Sequence, residues 1–352
     1  MKKNLLIQLA RENNTIAPSQ QYIIDCFRPE DACAVARCFY EVYGDSYSVD
    51  TVYDPEALTK ANNEGKLYSI VARTPKGDVL GHCALFSSPC CEFLFEEGQL
   101  AVVPSYRNEA VASQLVRYGL EVQARKVPAH EIFGKAVCNH SISQKIGADC
   151  GFLETALEVD YIPEAAYKKE KSATGPVSAL WMFRCYQDFT HDVFLPETYA
   201  EILSFLYSEL ISTRNFKKPG SQASHDSASR VQLRFFGFQK VARMYVETIG
   251  NDFAFVIDGL EHIIEENGST ISQVYLPLGT SAAGIAVETL RTKGYFLGGL
   301  LPRWFNKDGL LMQKITGTPH FDQICLYSRR AEKLLDFIRD DWETTTFRKQ
   351  LL

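Results

Sequence analysis

Residues 99–123, QLAVVPSYRNEAVASQLVRYGLEVQ, decide the fold: they begin as a strand and end as a helix, with a tight corner at 107–112. On the helical side Val111, Leu115, Tyr118 and Val122 recur at helical spacing from Glu109 onward, which predicts one inward face. A chain that leaves a buried strand and enters a helix within a few residues aims several backbone N–H groups at one place, at the positive end of the helix. Such a place suits phosphate. Ala110 and Ala112 are small enough to let an anion approach the main chain, and Arg107 adds positive charge at the mouth.

Upstream, residues 67–87 read as two β-rich runs around Thr74-Pro75-Lys76-Gly77-Asp78, a hairpin turn, and a third strand follows at 93–103. QYIIDCF (21–27) reads as a first strand. Arg28-Pro29-Glu30-Asp31 opens a helix that Gly44 closes, with Ala32, Val35, Phe39 and Val42 toward a core. Downstream come a strand at 132–139, a short helix at 141–150 and strands at 151–162 and 177–186. The order is that of an α/β unit with a mixed sheet.

The rest of the chain echoes part of this unit. A helix is expected over 196–216, with Leu203, Leu206 and Leu210 inward, and the Gly, Ser and Pro content of 217–230 reads as a linker. VYLPLG (274–279), a helix over 282–292, Gly294-Tyr295 and two closing strands then repeat the order and nearly the spacing of 132–139, its helix, Gly151-Phe152 and their strands. The segment 329–352 is an amphipathic helix able to pack on either unit. The expected domains are a polar extension over 1–20, a first α/β domain over 21–190, a connecting helix and linker over 191–230, and a second over 231–352.

Composition narrows the function classes. At 352 residues, 46% hydrophobic and 23% charged, the chain can bury two or three cores. The net charge of -6 gives no footprint for nucleic acid, and the run Lys168-Lys169-Glu170-Lys171 reads as a solvated loop. The first twenty residues look like neither a signal peptide nor a membrane anchor, so the expectation is the cytoplasm and no membrane partner. Ten cysteines are scattered with no CxxC pair and no histidine at ligand spacing, which predicts reduced, mostly buried thiols and no metal. Cys90-Cys91 reads as a loop or strand edge, and Trp181, Trp304 and Trp342 as too dispersed for a cofactor box.

The segment VVPSYRNEAVASQL (102–115) resembles motif A of the GNAT family of N-acetyltransferases, whose pattern is Arg/Gln-x-x-Gly-x-Gly/Ala after a strand; Arg107, Ala110 and Ala112 match its three positions. FRPEDACAVARCF (27–39) is similar to the family's first strand and helix, and Cys150-Gly151-Phe152 stands where the family carries Gly-Phe. The resemblance spans about 22–187, with a weaker form over 231–315. It implies a GNAT-like mixed β-sheet flanked by helices in two tandem copies. It also implies an acyl-CoA-dependent N-acyltransferase, moving acetyl from acetyl-CoA to a small-molecule or protein amine by direct attack.

By the resemblance the amides of Asn108, Glu109, Ala110, Val111, Ala112 and Ser113, with Arg107, hold the CoA pyrophosphate. Ala101, Val102 and Val103 pair with the pantetheine arm, and Asn139 and Ser143 complete the cofactor contacts. Glu96 and Glu97 stand where the family places a general base. Adjacent on a strand, only one can face the cleft, and alternation with Gln99 and Ala101 favours Glu97; the other reading makes each a solvated strand-end charge. Ala110 replaces the middle glycine, which leaves the cradle working if that residue keeps helical φ and ψ. The family's acidic Tyr corresponds to Gly147, leaving His140, Ser141, Ser143, Tyr118 or water to protonate the thiolate. In the second half YVETIGNDFAFVIDGL sets Glu247 and Asp252 at the equivalent corner, which reads as a degenerate copy without cofactor, and Phe253, Phe255, Ile257, Leu260, Ile263 and Ile264 read as its core. The competing readings are a non-catalytic acyl-CoA-binding or interaction module and a structural partner without CoA; a homo-oligomer is compatible with each.

Overall fold

Local chemistry sets most elements of the computed structural model, which describes residues 9, 16–88, 91–107, 109–167, 169, 171–211, 213–220 and 228–351. β1 (Ile23–Cys26) runs into a turn at Pro29–Asp31 and α1 (Ala32–Tyr43). Asp31 Oδ2 accepts from Arg28 N at 2.8 Å to secure the helix start, and Gly44 at φ +66° ends it. α2 (Pro55–Asn63) is capped by Asp54, whose carboxylate accepts from the N–H groups of Glu56 and Ala57. β2 (Tyr68–Arg73), β3 (Val79–Ser88), β4 (Cys91–Val102), α3 (Val111–Tyr118), β5 (Glu131–Val137), α4 (Ile142–Asp149), β6 (Leu153–Ile162) and β7 (Val177–Cys185) follow in the expected order. Then come β8 (His191–Phe194), α5 (Ala200–Ser208), β9 (Arg214–Lys217), β10 (Arg230–Phe236), β11 (Val241–Thr248), α6 (Phe253–Asn267), β12 (Ile271–Pro277), α7 (Ala283–Thr292), β13 (Phe296–Leu301), β14 (Gly309–Ile315) and α8 (Arg329–Leu351).

The chain divides into two compact units: Met1–Lys135, Lys145–Phe152 and Glu164–Gly175 form the first, and Ala136–Gln144, Leu153–Pro163 and Pro176–Leu352 the second. In the first, β1 to β4 are antiparallel neighbours in sequence order and β5 lies parallel to β4. Its core gathers Val35, Phe39, Tyr53, Ile70, Leu80 and Leu115, each contributing about 1.5–3 kcal/mol relative to exposure. The buried Tyr106 ties the lead-in to this core, its hydroxyl donating to Ala17 O and accepting from Gln20 N, both at 2.8 Å.

In the second unit the strands of the larger sheet run in the order β7-β6-β13-β14-β12-β11-β10, with β11 and β12 parallel, and β8 and β9 form a separate parallel pair. The unit therefore starts earlier than the boundary at 231, because β6 and β7 cluster with the later strands through the β6–β13 pair Ala156↔Gly299. Gly299 has φ +128°, and a Cβ there would stand 2.4 Å from Thr155 O, so only glycine allows this approach. Buried charges are paired: Arg243 meets Glu158 Oε1 at 2.7 Å and Gln273 Oε1 at 2.8 Å, and its guanidinium lies 4.7 Å from the Tyr275 ring centre. Asp308 accepts from Arg214 Nε at 2.6 Å, Tyr207 OH at 2.8 Å and Arg303 N at 3.0 Å. Burial alone would raise the Asp308 pKa, but the His191 hydrogen bond and the Arg214 charge hold it well below the usual carboxylate range.

Several expectations change. The helix expected over 196–216 ends at Ser208, and β9 lies parallel to β8, with Arg214 drawn to Asp308 and Asp188. The 191–230 connection is thus strand, helix and strand, while 221–227 falls outside the described residues. Val122 is 37% exposed because 119–123 form a π-helical turn, in which Ala124 N bonds Gly119 O; the extra residue turns Leu120, Gln123 and Ala124 inward instead. On α6, Phe253, Ile257 and Ile264 are buried, Leu260 is half-buried, and Phe255 and Ile263 are exposed at 80% and 48%.

The tryptophans are not all dispersed either: Trp181 and Trp304 pack edge to face at 5.2 Å, both against Tyr275. The described cysteines are free, but only Cys38, Cys83, Cys91 and Cys138 are buried; Cys91 opens β4 and Cys90 lies outside the described residues. Lys169 is more than a solvated charge, since its ammonium donates to Glu41 O at 2.6 Å, near the C-terminal end of α1. Lys168 and Glu170 lie outside the described residues. α8 belongs to the second unit.

Candidate functional site

β4 changes neighbours part-way along. Against β3, Glu96 faces Phe86, Glu97 faces Leu85 and Gly98 faces Ala84, but Ala101 faces His82, so extra residues bulge from β4. Gln99 takes φ +54° at this point, an uncommon conformation for a residue with a side chain. Against β5, pairing runs from Leu94↔Glu131 to Glu97↔Gly134 and stops. Past the bulge β4 keeps β3 on one edge and has no paired strand on the other among the described residues. Val103 N donates to Leu80 O at 2.9 Å, so by antiparallel alternation Val102 directs its N–H and carbonyl toward the open edge. That carbonyl accepts from Arg107 Nε at 3.4 Å.

The open edge runs into the corner. Pro104–Tyr106 makes one tight turn, and the first bond of α3 is Gln114 N to Ala110 O at 2.9 Å. The N–H groups of Val111, Ala112 and Ser113 precede that ladder, at the positive end of the helix. Ala110 is the N-cap with φ -75° and ψ 12°, an ordinary negative-φ conformation, so its methyl introduces no backbone strain. Its side chain gives no capping bond. Ser113 Oγ donates to Ala110 O at 2.9 Å, and Arg107, Glu109 and Ala110 are exposed. Asn108, expected among the phosphate contacts, lies outside the described residues.

Glu96 and Glu97 point to opposite faces. Glu97 is 9% exposed; its Oε1 accepts from Cys83 Sγ at 3.7 Å and lies 3.0 Å from where a Cβ on Gly119 would stand, on the α3 side. Burial and the Glu97 charge push the Cys83 thiol well up. Glu96 takes the other face, with Gly98 and Phe86. There His82, Phe39, Tyr43 and Tyr47 cluster, with ring centres 5.3 Å apart for Phe39 and His82 and 4.9 Å for Phe39 and Tyr47. Burial, then the Tyr43 and Glu96 charges, raises the Tyr47 pKa. The alternation that favoured Glu97 fails because the bulge shifts its phase: Ala101, opposite His82, comes onto the face of Glu96 rather than that of Glu97.

His82 escaped sequence reasoning. It is fully buried, and Nδ1 donates to the carbonyl of Gln99 at 3.0 Å, catching the bulge itself. Burial lowers its pKa to about 4 against the opposing pull of that carbonyl, which leaves the ring neutral near pH 7. The only sequence signal was a histidine inside an otherwise apolar strand.

Tyr118 and His140 have other partners. Tyr118 OH sits 3.6 Å from Cys26 Sγ on β1, at the other end of this unit's strand order from β5, and that hydrogen bond, with burial, pushes it up to about 12. His140 Nδ1 accepts from Ile142 N at 3.3 Å, a helix-start role. Asn139, His140, Ser141 and Ser143 belong to the second unit, where the Asn139 Oδ1 and Ser143 Oγ atoms are buried.

The second unit has a related corner between β11 and α6. β11 pairs with β12 from Val241↔Ile271 to Tyr245↔Tyr275 and then continues beside β10 alone, as far as Thr248, before 249–252. This corner is filled by its own chain: Gly250 N donates to Ser229 Oγ at 2.9 Å, Ser229 N to Asp252 Oδ1 at 2.8 Å, and Glu247 accepts from Gln232.

No family model matches the chain, and no curated protein matches it. Among solved structures, it is similar to an N-acetyltransferase of Staphylococcus aureus Mu50 at 15% identity over 47% of this chain and 98% of that one, with a TM-score of 0.38. It is similar to the spermidine/spermine N-acetyltransferase of Vibrio cholerae at 14% over 47% and 95%, TM-score 0.37. A GNAT family N-acetyltransferase of Escherichia coli in complex with CoA is similar at 19% over 40% and 73%, TM-score 0.30. At such identities and TM-scores these likenesses assign no activity, and the functional reading rests on the split strand pair and the helix end. No described helix is long and apolar enough to cross a membrane.

Proposed function

We propose that the first unit binds an acyl-CoA and transfers its acyl group, acetyl in the simplest case, to an amine. One observation carries this reading: β4 parts from β5 after Glu97, and the freed edge leads directly to the uncapped N–H groups of α3. Val102, with Ala101 and Val103 beside it, offers main-chain groups to the pantetheine arm. The amides of Val111, Ala112 and Ser113, with Arg107 at the mouth, suit the pyrophosphate. Glu96 is the base on this reading. The amine nitrogen forms a bond to the thioester carbon, the C–S bond breaks, the amine proton passes to the Glu96 carboxylate, and the thiolate takes a proton from solvent.

The second unit is a degenerate copy on this proposal, supported by the repeated parallel strand–helix–strand (β4-α3-β5 and β11-α6-β12) and by Ser229 and Asp252 filling its corner. Calorimetric titration with CoA and acetyl-CoA tests the first step, and absence of binding by both rejects the reading. Thiol release across an amine panel tests the second. Glu96→Gln lowers kcat by roughly 10²-fold or more with CoA affinity retained, whereas Glu97→Gln leaves kcat within about threefold; the reverse pattern returns the role of base to Glu97.

A further inference from the structure

The bulge in β4 is met by side chains of β3: Cys83 Sγ lies 3.7 Å from Gly98 O, and His82 reaches Gln99. Gln99 has φ +54°, its carbonyl accepts from His82 Nδ1 at 3.0 Å, and His82 is fully buried on β3 with its ring 5.3 Å from Phe39. A carbonyl turned out of the β3–β4 ladder by a bulge needs another donor when buried. β3 is paired with β2 on one side and β4 on the other along this stretch, and the imidazole supplies a donor from a side chain. Donation by Nδ1 fixes the neutral tautomer with its lone pair on Nε2, a buried atom with no hydrogen-bond partner among the described residues. The ring's low proton affinity keeps that tautomer populated near pH 7.

We propose that His82 is a positioning residue for the acyl-CoA edge: its Nδ1–H holds the Gln99 carbonyl, which keeps the bulge formed and the Ala101–Val103 segment parted from β5. This inference rests on the acyl-CoA reading of the site. Glu96 precedes the bulge, in the stretch where β4 is paired on both sides. Loss of the His82 donor therefore displaces the cofactor edge more than it displaces the base, so KM and Kd move more than kcat.

The experiment compares His82→Asn with His82→Gln in the full chain. The Asn amide places an N–H where Nδ1 stands, and Gln fills the site with its amide at the position of Nε2, beyond the Gln99 carbonyl. With CoA and acetyl-CoA as probes, His82→Asn keeps Kd and KM within threefold of wild type, while His82→Gln raises both at least tenfold with kcat changed less than threefold. Amide hydrogen exchange over 98–103 is followed without ligand: it accelerates in His82→Gln and stays near wild type in His82→Asn. Equal exchange in the two variants overturns the positioning role whatever CoA does. Equal Kd in the two, with wild type binding, overturns it as well. If wild type binds no CoA, the acyl-CoA reading falls, and the exchange difference alone decides whether His82 holds the bulge.

Discussion

Ala110 caps α3 without offering a side-chain acceptor, although Ser, Thr, Asp or Asn at such a position stabilises a helix by about 1 kcal/mol. Leaving the cap bare keeps the first amides available to an anion. Ala110→Asp is therefore expected to stabilise the unliganded protein by roughly 0.5–2 kcal/mol in urea unfolding, and to weaken CoA binding at least about tenfold by repulsion, one decade being about 1.4 kcal/mol. Tighter CoA binding in that variant contradicts the cradle. His82 gives a second test at this scale. Its folded pKa of about 4 lies below the ordinary 6.5, so between these values the unfolded chain binds the extra proton. Its contribution is present above pH 6.5 and is lost as pH falls toward 4, a total on the order of 3 kcal/mol. The pH dependence of unfolding in wild type minus that in His82→Asn isolates this term, and identical curves remove it.

The helix after the corner is regular only to Tyr118; the π-turn at 119–123 then inserts one residue. Gly119, still in helical register through its N–H to Leu115 O, lies over the Glu97 carboxylate and Ile70, with an added Cβ 3.0 Å and 3.2 Å from them. Alanine normally favours a helix by up to about 1 kcal/mol over glycine. Here the contacts oppose it, and Gly119→Ala is expected to destabilise by about 1–3 kcal/mol, read from the urea midpoint; stabilisation would mean that Glu97 moves aside freely. Most elements up to this point were legible in the sequence, because Val35, Phe39 and Val42, or Thr74 to Asp78, encode their structure within a few residues. The bulge at Gln99 and the π-turn were not, since each depends on a partner distant in sequence: His82 for one, and the packing of Leu120 and Gln123 for the other.

Across the molecule, the features hidden from sequence are those that need several distant segments at once. Asp308 gathers Arg214, Tyr207 and His191 from three separate elements, and no spacing rule connects them. Removing its charge leaves the buried Arg214 guanidinium with Asp188 as its remaining carboxylate, so Asp308→Asn should lower stability by up to roughly 3–5 kcal/mol. Asp322, 97% exposed against Arg339, should cost below about 1 kcal/mol as Asp322→Asn. Denaturant unfolding of both variants checks the contrast, and similar losses would mean that Asp308 is not the hub. The fold of the first unit was legible because its elements follow one another in the strand order; the membership of β6 and β7 was not, because Gly299 decides it from across the chain. The open edge of β4 has an evolutionary consequence. On the proposed acyl-CoA reading the recognition surface is made of peptide groups, which almost any residue except proline offers, so selection has little grip on the identities at 101–103. Such a strand can drift through many substitutions while retaining its ligand, and constraint shifts to the residue that shapes the backbone, here a histidine one strand away.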